Sequence, residues 1–208
     1  HDGVGYQLRA TMNTAGQPSP KTRMPPAAEK WGVGLLLATF LVFNLVTAAR
    51  HPFVWIDEVM YSDPAVNLVL GRGFTSSAWY AQAAGEFWAG NVPLHAVLLS
   101  LWLKVFGASI TAVRSINCVY LVAVCALVWR ASAHLDLVAT PRARLGLLAL
   151  LLGGYSMIIS YRGGRPDALA MLVAATLLHA HALERPWARI AGFAALGLVS
   201  PWVGLQLL

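Results

Sequence analysis

The stretch from Trp31 to Ala49, WGVGLLLATFLVFNLVTAA, carries no charged side chain over about 19 residues. An α-helix of that length extends about 28 Å at 1.5 Å per residue, which is close to the thickness of the hydrocarbon core of a bilayer. The stretch therefore predicts a membrane-spanning helix, and with it a fold built from helices.

The composition of the whole chain supports a membrane protein. Of the 208 residues, 58% are hydrophobic and 12% are charged, whereas about a quarter of the residues in a soluble domain are charged. The 15 Lys and Arg residues outnumber the 9 Asp and Glu residues, but they are scattered between apolar runs and form no basic stripe. A nucleic-acid partner is therefore disfavoured, and the basic excess is attributed to membrane topology.

Further apolar runs follow the first, and a polar or basic break separates each run from the next. Together with the span at about 31–49 they predict an all-α, polytopic transmembrane bundle with a large first outer loop at 50–113. The later spans are predicted at about 114–129, 145–161, 167–183 and 188–208.

The two ends of the chain are interpreted separately. Residues 1–30 show no hydrophobic periodicity, which predicts a disordered cytoplasmic tail or a segment translated from upstream of the true start. The last apolar run stops without a polar tail. We therefore expect residues 31–208 to be the N-terminal part of a longer transmembrane domain.

The segment Pro93–Gly107 determines the sidedness of everything after it, because it is short for a span and carries a histidine and a lysine. If it lies in the membrane interface as an amphipathic or re-entrant helix, the arginine-rich loops face the cytoplasm, as the positive-inside rule requires. If it crosses, the motifs IDEVMYSD (56–63) and YRGGRPD (161–167) lie on opposite faces. We favour the interfacial alternative, which places both motifs outside.

The outer loop is predicted to carry short interfacial helices that form a cap on the bundle. In YSDPAVNLVLGRGF (61–74), Asp63 is suited to cap a helix and Pro64 to occupy its first position. Gly71 and Gly73 are suited to end that helix.

Charged side chains lie at the predicted outer ends of the spans, although arginine is disfavoured on that side. Ionisable groups at such positions indicate a functional site. In the alternative interpretation, the acids stabilise helix N-termini and the arginines extend to the lipid headgroups. The side chains concerned are Asp57, Glu58, Arg114, Arg162, Arg165 and Asp167.

The order of these features resembles a known enzyme family. HPFVWIDEVMY (51–61) follows the first span, LVLGRGF and NVPLHAVLLSLWLKVFGAS come next, AVRS (112–115) opens a span, and YRGGRPDALAMLVAA (161–175) follows. This ordered set resembles the N-terminal part of GT-C glycosyltransferases. The most similar branch contains the protein O-mannosyltransferases and the aminoarabinose transferase of lipid A.

The resemblance implies a sugar transfer from a polyprenyl-phosphate donor to an extracytoplasmic acceptor, in the plasma (inner) membrane. Asp57 would be the catalytic base, and Glu58 would orient or assist it. Arg114, Arg162 and Arg165 would bind the phosphate, because guanidinium groups bind phosphate oxygens in pairs. Asp167 matches an acid of the second outer loop.

Some residues depart from the family pattern. Many protein mannosyltransferases have two prolines and a lysine where this chain has Val92, Pro93 and LHAV, so the acceptor is not assigned to protein, lipid or glycan. Some relatives hold a divalent metal, for which His51, His95 and Glu86 are candidate ligands here. The alternative is that these histidines are polar anchors, and no metal or other cofactor is assigned.

A second function class remains open. A transporter or lipid-binding scaffold also places charges among membrane helices. A transporter is expected to place them near the membrane midplane, whereas these acids lie at span ends and in a loop.

Overall fold

The computed structural model describes residues 26–79, 82–88 and 93–199, and these residues form an all-α fold. Extended residues pair there at one isolated bridge, between Thr75 and Phe87. The helices are α1 (Pro26–Thr47), α2 (Ile56–Val69), α3 (Pro93–Phe106), α4 (Ile110–His134), α5 (Pro141–Gly153), α6 (Tyr155–Arg162), α7 (Asp167–Ala182) and α8 (Pro186–Val199).

The membrane character of the chain is confirmed in part. Two helices are long and apolar enough to cross a membrane, Ala27–Thr47 within α1 and Ile110–His134. There is a third span if α5 and α6, which are bent by 56° relative to each other, together form one span. α3 and α7 are shorter apolar helices. By length and composition, the described residues therefore contain two or three spans, and the predicted fifth span, 188–208, extends beyond the described residues.

Several predicted boundaries move. α1 begins at Pro26, so residues 26–30 belong to this helix and not to the predicted tail. The predicted span 145–161 is broken at Gly154, whose extended backbone (φ −64°, ψ 133°) separates α5 from α6. Glycine is a poor helix former, which makes this position the weakest point of the apolar run. Residues 1–25 and 200–208 lie outside the described residues.

α2 differs most from its prediction, because it begins at Ile56 and contains Pro64 in its interior. Proline has no N–H to donate to the carbonyl four residues earlier. That carbonyl, of Met60, instead accepts a hydrogen bond of 2.7 Å from Trp79 Nε1. The predicted helix start at Pro64 was therefore wrong, because a contact from the folded loop replaces the missing backbone bond.

The polar residues around α2 organise the outer loop. Asp63 does not cap the helix; its Oδ2 accepts hydrogen bonds of 2.8 Å from Ser76 Oγ and from the Ser77 backbone N–H. The predicted end of the helix is confirmed: α2 stops at Val69, and Gly71 follows with φ +72°. Asp63 thus ties the loop back onto α2.

α4 lies at the centre of the fold and packs against α1, α3, α5, α6 and α7. Of an apolar stretch of 18 residues in α4, 56% is buried, compared with 11% of the corresponding stretch in α1. Ser109 caps α4 by accepting a hydrogen bond of 3.1 Å from the Ala112 backbone N–H. This cap begins the helix beside the end of α1, which brings Arg114 to the first predicted motif.

Candidate functional site

All six side chains singled out in the sequence lie together at one end of the bundle. They come from the start of α2, the start of α4, the end of α6 and the turn into α7, and they meet the last residues of α1. We call them the acid–arginine cluster: Asp57, Glu58, Arg114, Arg162, Arg165 and Asp167. The two predicted motifs therefore belong to the same end of the fold.

The centre of the cluster is a buried ion pair, here called the inner pair, between Glu58 and Arg114. Arg114 Nε lies 2.6 Å from Glu58 Oε1, and Nη2 lies 2.7 Å from Oε2. Arg114 Nη1 also donates to the carbonyls of Ala48 (2.7 Å) and Pro52 (2.9 Å). The side chains are only 2% and 3% exposed. This geometry uses Arg114 to fasten α4 to α1 and α2, and it leaves little of the guanidinium open to a ligand.

The turn between α6 and α7 passes directly over the inner pair. Gly164 has φ +62°, and a Cβ added there would lie 2.7 Å from Glu58 Cγ. A Cβ added at Gly163 would lie 2.7 Å from the carbonyl oxygen of Ile159. Both glycines of YRGGRPD are thus needed sterically, and Gly164 also needs the left-handed backbone that glycine adopts without strain.

The exposed part of the cluster, here called the outer set, consists of Asp57, Arg165 and Asp167. Arg165 Nη1 lies 3.1 Å from Asp57 Oδ2, and its Nε lies 2.9 Å from Asp167 Oδ2. The three side chains are 36%, 36% and 41% exposed. The Arg165 carbonyl accepts a hydrogen bond of 2.7 Å from Asn117 Nδ2, which is buried on α4. The side chains of the outer set are thus open to solvent, while the hydrogen bond from Asn117 fixes the backbone of Arg165.

Arg162 occupies a different environment, because each of its hydrogen-bond partners in the described chain is neutral. Nη1 donates to Asn44 Oδ1 (3.1 Å), and Nη2 donates to Thr47 Oγ1 (2.9 Å) and to the His51 carbonyl (2.7 Å). Its guanidinium carbon also lies 5.9 Å from the ring centroid of Phe43. Arg162 therefore contributes positive charge that no carboxylate within 26–79, 82–88 or 93–199 offsets by direct contact.

His95 lies on α3, which is not one of the spanning helices, and is completely buried. Neither ring nitrogen makes a well-formed hydrogen bond within the described residues, although the Gly164 backbone is close enough to interact. Burial lowers the pKa of His95 to about 4, so the imidazole is neutral at pH 7. Its position below the Gly164 turn makes it a packing neighbour of the cluster.

No group of three or more His, Cys, Asp or Glu side chains that could hold a metal ion occurs in residues 26–79, 82–88 and 93–199. The candidate ligands His51, His95 and Glu86 are accordingly not brought together there. His51 is exposed and contributes its carbonyl to Arg162, whereas His95 is buried. This arrangement gives no support to the metal hypothesis.

Sequence analysis missed several neighbours of the cluster. Asn44 and Asn117 are buried amides. In the sequence, each is a polar residue inside an apolar run, and that pattern could have indicated them as candidates. Tyr61 lies one turn after Asp57; its phenol pKa is raised mainly by burial and also by Asp57 and Asp167, against the opposing effect of Arg165. No simple pattern in the sequence indicates Tyr61, because only the fold brings it to the outer set.

The chain matches no protein-family model, no curated protein and no solved structure. The resemblance to a known family therefore rests on the ordered motifs alone and stays a prediction.

Proposed function

We propose that the protein is a membrane glycosyltransferase that moves a sugar from a polyprenyl-phosphate donor to an acceptor on the extracytoplasmic side, with Asp57 as general base. The observation that carries the proposal is the difference in exposure between two adjacent acids of α2. Glu58 is buried in the inner pair, whereas the Asp57 carboxylate is 36% exposed at the end of two apolar helices.

The proposal that Asp57 is the base is supported by the hydrogen bonds of its carboxylate. Its Oδ2 accepts a hydrogen bond from Arg165, while Oδ1 makes none with the described residues. In the proposed reaction, the acceptor hydroxyl attacks the anomeric carbon as its proton passes to Asp57. The bond from that carbon to the phosphate oxygen breaks, and polyprenyl phosphate leaves with the bonding electrons. General-base catalysis of this kind contributes about 10²- to 10⁴-fold to the rate.

The leaving phosphate requires cations, and in this proposal Arg165 and Arg162 supply them. Arg165 Nη2 makes no hydrogen bond within the part of the chain that the structure describes, and Arg162 has only neutral partners. Guanidinium groups stabilise phosphate charge in the transition state. We assign Arg114 a positioning role rather than the phosphate-binding role expected from sequence, because the inner pair and two carbonyls occupy it.

The surroundings of Asp57 suit a donor that arrives within the bilayer. Immediately before Asp57, three apolar side chains are strongly exposed: Phe53 (89%), Trp55 (66%) and Ile56 (65%). Aromatic and aliphatic groups at a helix end are suited to the boundary between headgroups and acyl chains. A polyprenyl phosphate carries its reacting phosphate at that depth. This supports a multi-pass enzyme of the plasma (inner) membrane that acts on its outer side.

The test compares Asp57→Asn with Asp136→Asn, each made in the full-length protein. Asp136 lies at the opposite end of the bundle and has φ 49°, a conformation that asparagine also tolerates. We expect Asp57→Asn to lower the release of polyprenyl phosphate from a labelled donor by about 10²- to 10⁴-fold while donor binding is retained. The control variant should be near normal. Near-normal turnover in Asp57→Asn would eliminate Asp57 as the base.

A transporter or lipid-binding scaffold is the second candidate. It is favoured by Asn44 and Asn117, buried amides within the two spanning helices that contact Arg162 and the Arg165 backbone. Such polar groups are suited to line a permeation path. Donor binding without any release of polyprenyl phosphate by the wild type would favour this alternative.

A further inference from the structure

A groove lies between α1 and α4 at the end of the bundle opposite to the acid–arginine cluster. It has a volume of about 580 Å³ and is open on one side. Its walls come from the first turns of α1 and the last turns of α4. The lining residues used below are Lys30, Val33, Gly34, Leu37, Arg130 and His134.

The groove is apolar along its length and basic at its lip. Val33, Gly34 and Leu37 lie deeper along α1, towards the middle of the span. Lys30 and Arg130 lie near the ends of the two spanning helices, and both side chains are exposed. Among the residues that the structure describes, no acidic one lines the groove. The groove is therefore complementary to an anionic phospholipid: its apolar part matches an acyl chain, and its basic end matches a negatively charged headgroup.

Glu29, which precedes Lys30 in the chain, does not cancel this positive charge. Glu29 is buried and accepts two hydrogen bonds from Arg144, Nε to Oε1 at 2.7 Å and Nη2 to Oε2 at 2.8 Å. Glu29 Oε1 also accepts a hydrogen bond of 2.8 Å from Trp129 Nε1. Since Arg144 neutralises Glu29, Lys30 and Arg130 retain their charge for a ligand.

We propose that this groove binds an anionic phospholipid, with an acyl chain against Val33, Gly34 and Leu37 and the phosphate at Lys30 and Arg130. Basic residues at the membrane surface attract anionic headgroups, and apolar walls at span depth select a molecule that carries an acyl chain over free phosphate. The site is separate from the proposed chemistry at Asp57. It stands equally if the protein is a transporter.

The headgroup half of the site is tested with charge variants of the full-length chain in detergent. Binding of dioleoylphosphatidylglycerol and of dioleoylphosphatidylcholine is measured by native mass spectrometry. We expect wild type to prefer phosphatidylglycerol by about tenfold or more, and Lys30→Gln/Arg130→Gln to lose that preference. The matched control, Arg142→Gln/Arg185→Gln, removes the same charge from the same end of the bundle but outside the groove. It should keep the preference within about twofold.

The acyl half of the site is tested by filling the groove without changing its charge. A Cβ at Gly34 meets nothing within 4 Å, so Gly34→Leu should extend into the groove. We expect it to weaken the binding of both lipids several-fold. Gly146→Leu is the control, because Gly146 is also helical, exposed and without a neighbour within 4 Å of an added Cβ.

Three results would overturn the proposal. The first is equal binding of the two lipids by wild type. The second is an equal loss of preference in the groove variant and in the Arg142/Arg185 control, which would indicate diffuse surface charge. The third is binding that appears only after removal of residues 1–25, which would identify that segment as the occupant of the groove.

Discussion

Glu58 and Asp57 are adjacent in the sequence, yet they build two regions of opposite character. The inner pair of Glu58 and Arg114 is shielded from solvent, whereas the side chains of the outer set, Asp57, Arg165 and Asp167, are more than a third exposed. Successive residues of a helix point about 100° apart, so one turn can supply both. The comparison separates two roles: the inner pair anchors α1, α2 and α4, and on the proposed function the outer set presents a carboxylate and an arginine to the substrates.

The largest effect is expected from breaking the inner pair. Arg114→Leu leaves Glu58 buried without its partner and leaves the carbonyls of Ala48 and Pro52 without a donor. Removal of one member of a buried ion pair costs about 3–5 kcal/mol of unfolding free energy. Denaturant unfolding in detergent measures it, with exposed Arg185→Leu as the control. A loss below about 1 kcal/mol would show that the inner pair is not an anchor.

The second prediction concerns His95, whose pKa of about 4 lies below the ordinary value of 6.5. The unfolded chain binds a proton at this residue between those two values and the folded chain does not. Stability is therefore fully present above pH 6.5 and is lost as the pH falls towards 4, by about 3 kcal/mol in total. Unfolding free energies from pH 7.5 to 4 should fall more steeply for wild type than for His95→Leu. Parallel curves would contradict a neutral, buried His95.

The third prediction tests whether the turn over the inner pair is as tight as its geometry indicates. Gly164→Ala combines a strained positive φ with a Cβ 2.7 Å from Glu58 Cγ, so we expect a loss of about 2–3 kcal/mol. Gly71→Ala has a similar φ of +72° but no neighbour within 4 Å, and should lose about 1 kcal/mol. The difference between the two unfolding free energies isolates the steric contact. Equal losses would mean that the turn yields.

The smallest effect on stability is expected in the outer set. Arg165→Gln should lower the unfolding free energy by less than about 1 kcal/mol, because exposed ion pairs contribute little. On the proposed function it should still weaken donor binding, since it removes a charge that contacts phosphate. A loss of stability as large as that of Arg114→Leu would erase the distinction between the two regions.

Much of the fold follows from local patterns. The long uncharged runs of α1 and α4 predict spanning helices, because apolar surface of that length is stable in lipid. Gly71 correctly predicts the end of α2. The start of α2 and the break at Gly154 were not predicted. Pro64 is tolerated inside a helix because Trp79 donates to the Met60 carbonyl, and this contact spans 19 positions of the chain.

The sequence by itself determined the all-α membrane character of the chain and the six residues of the acid–arginine cluster, since charges are rare and costly beside lipid. Only the tertiary structure decided which of two adjacent acids is buried. Glu58 meets Arg114 from 56 positions away and lies under Gly164, whereas Asp57 meets Arg165 at the surface. Burial depends on which distant segments converge on a side chain, and no local pattern contains that information.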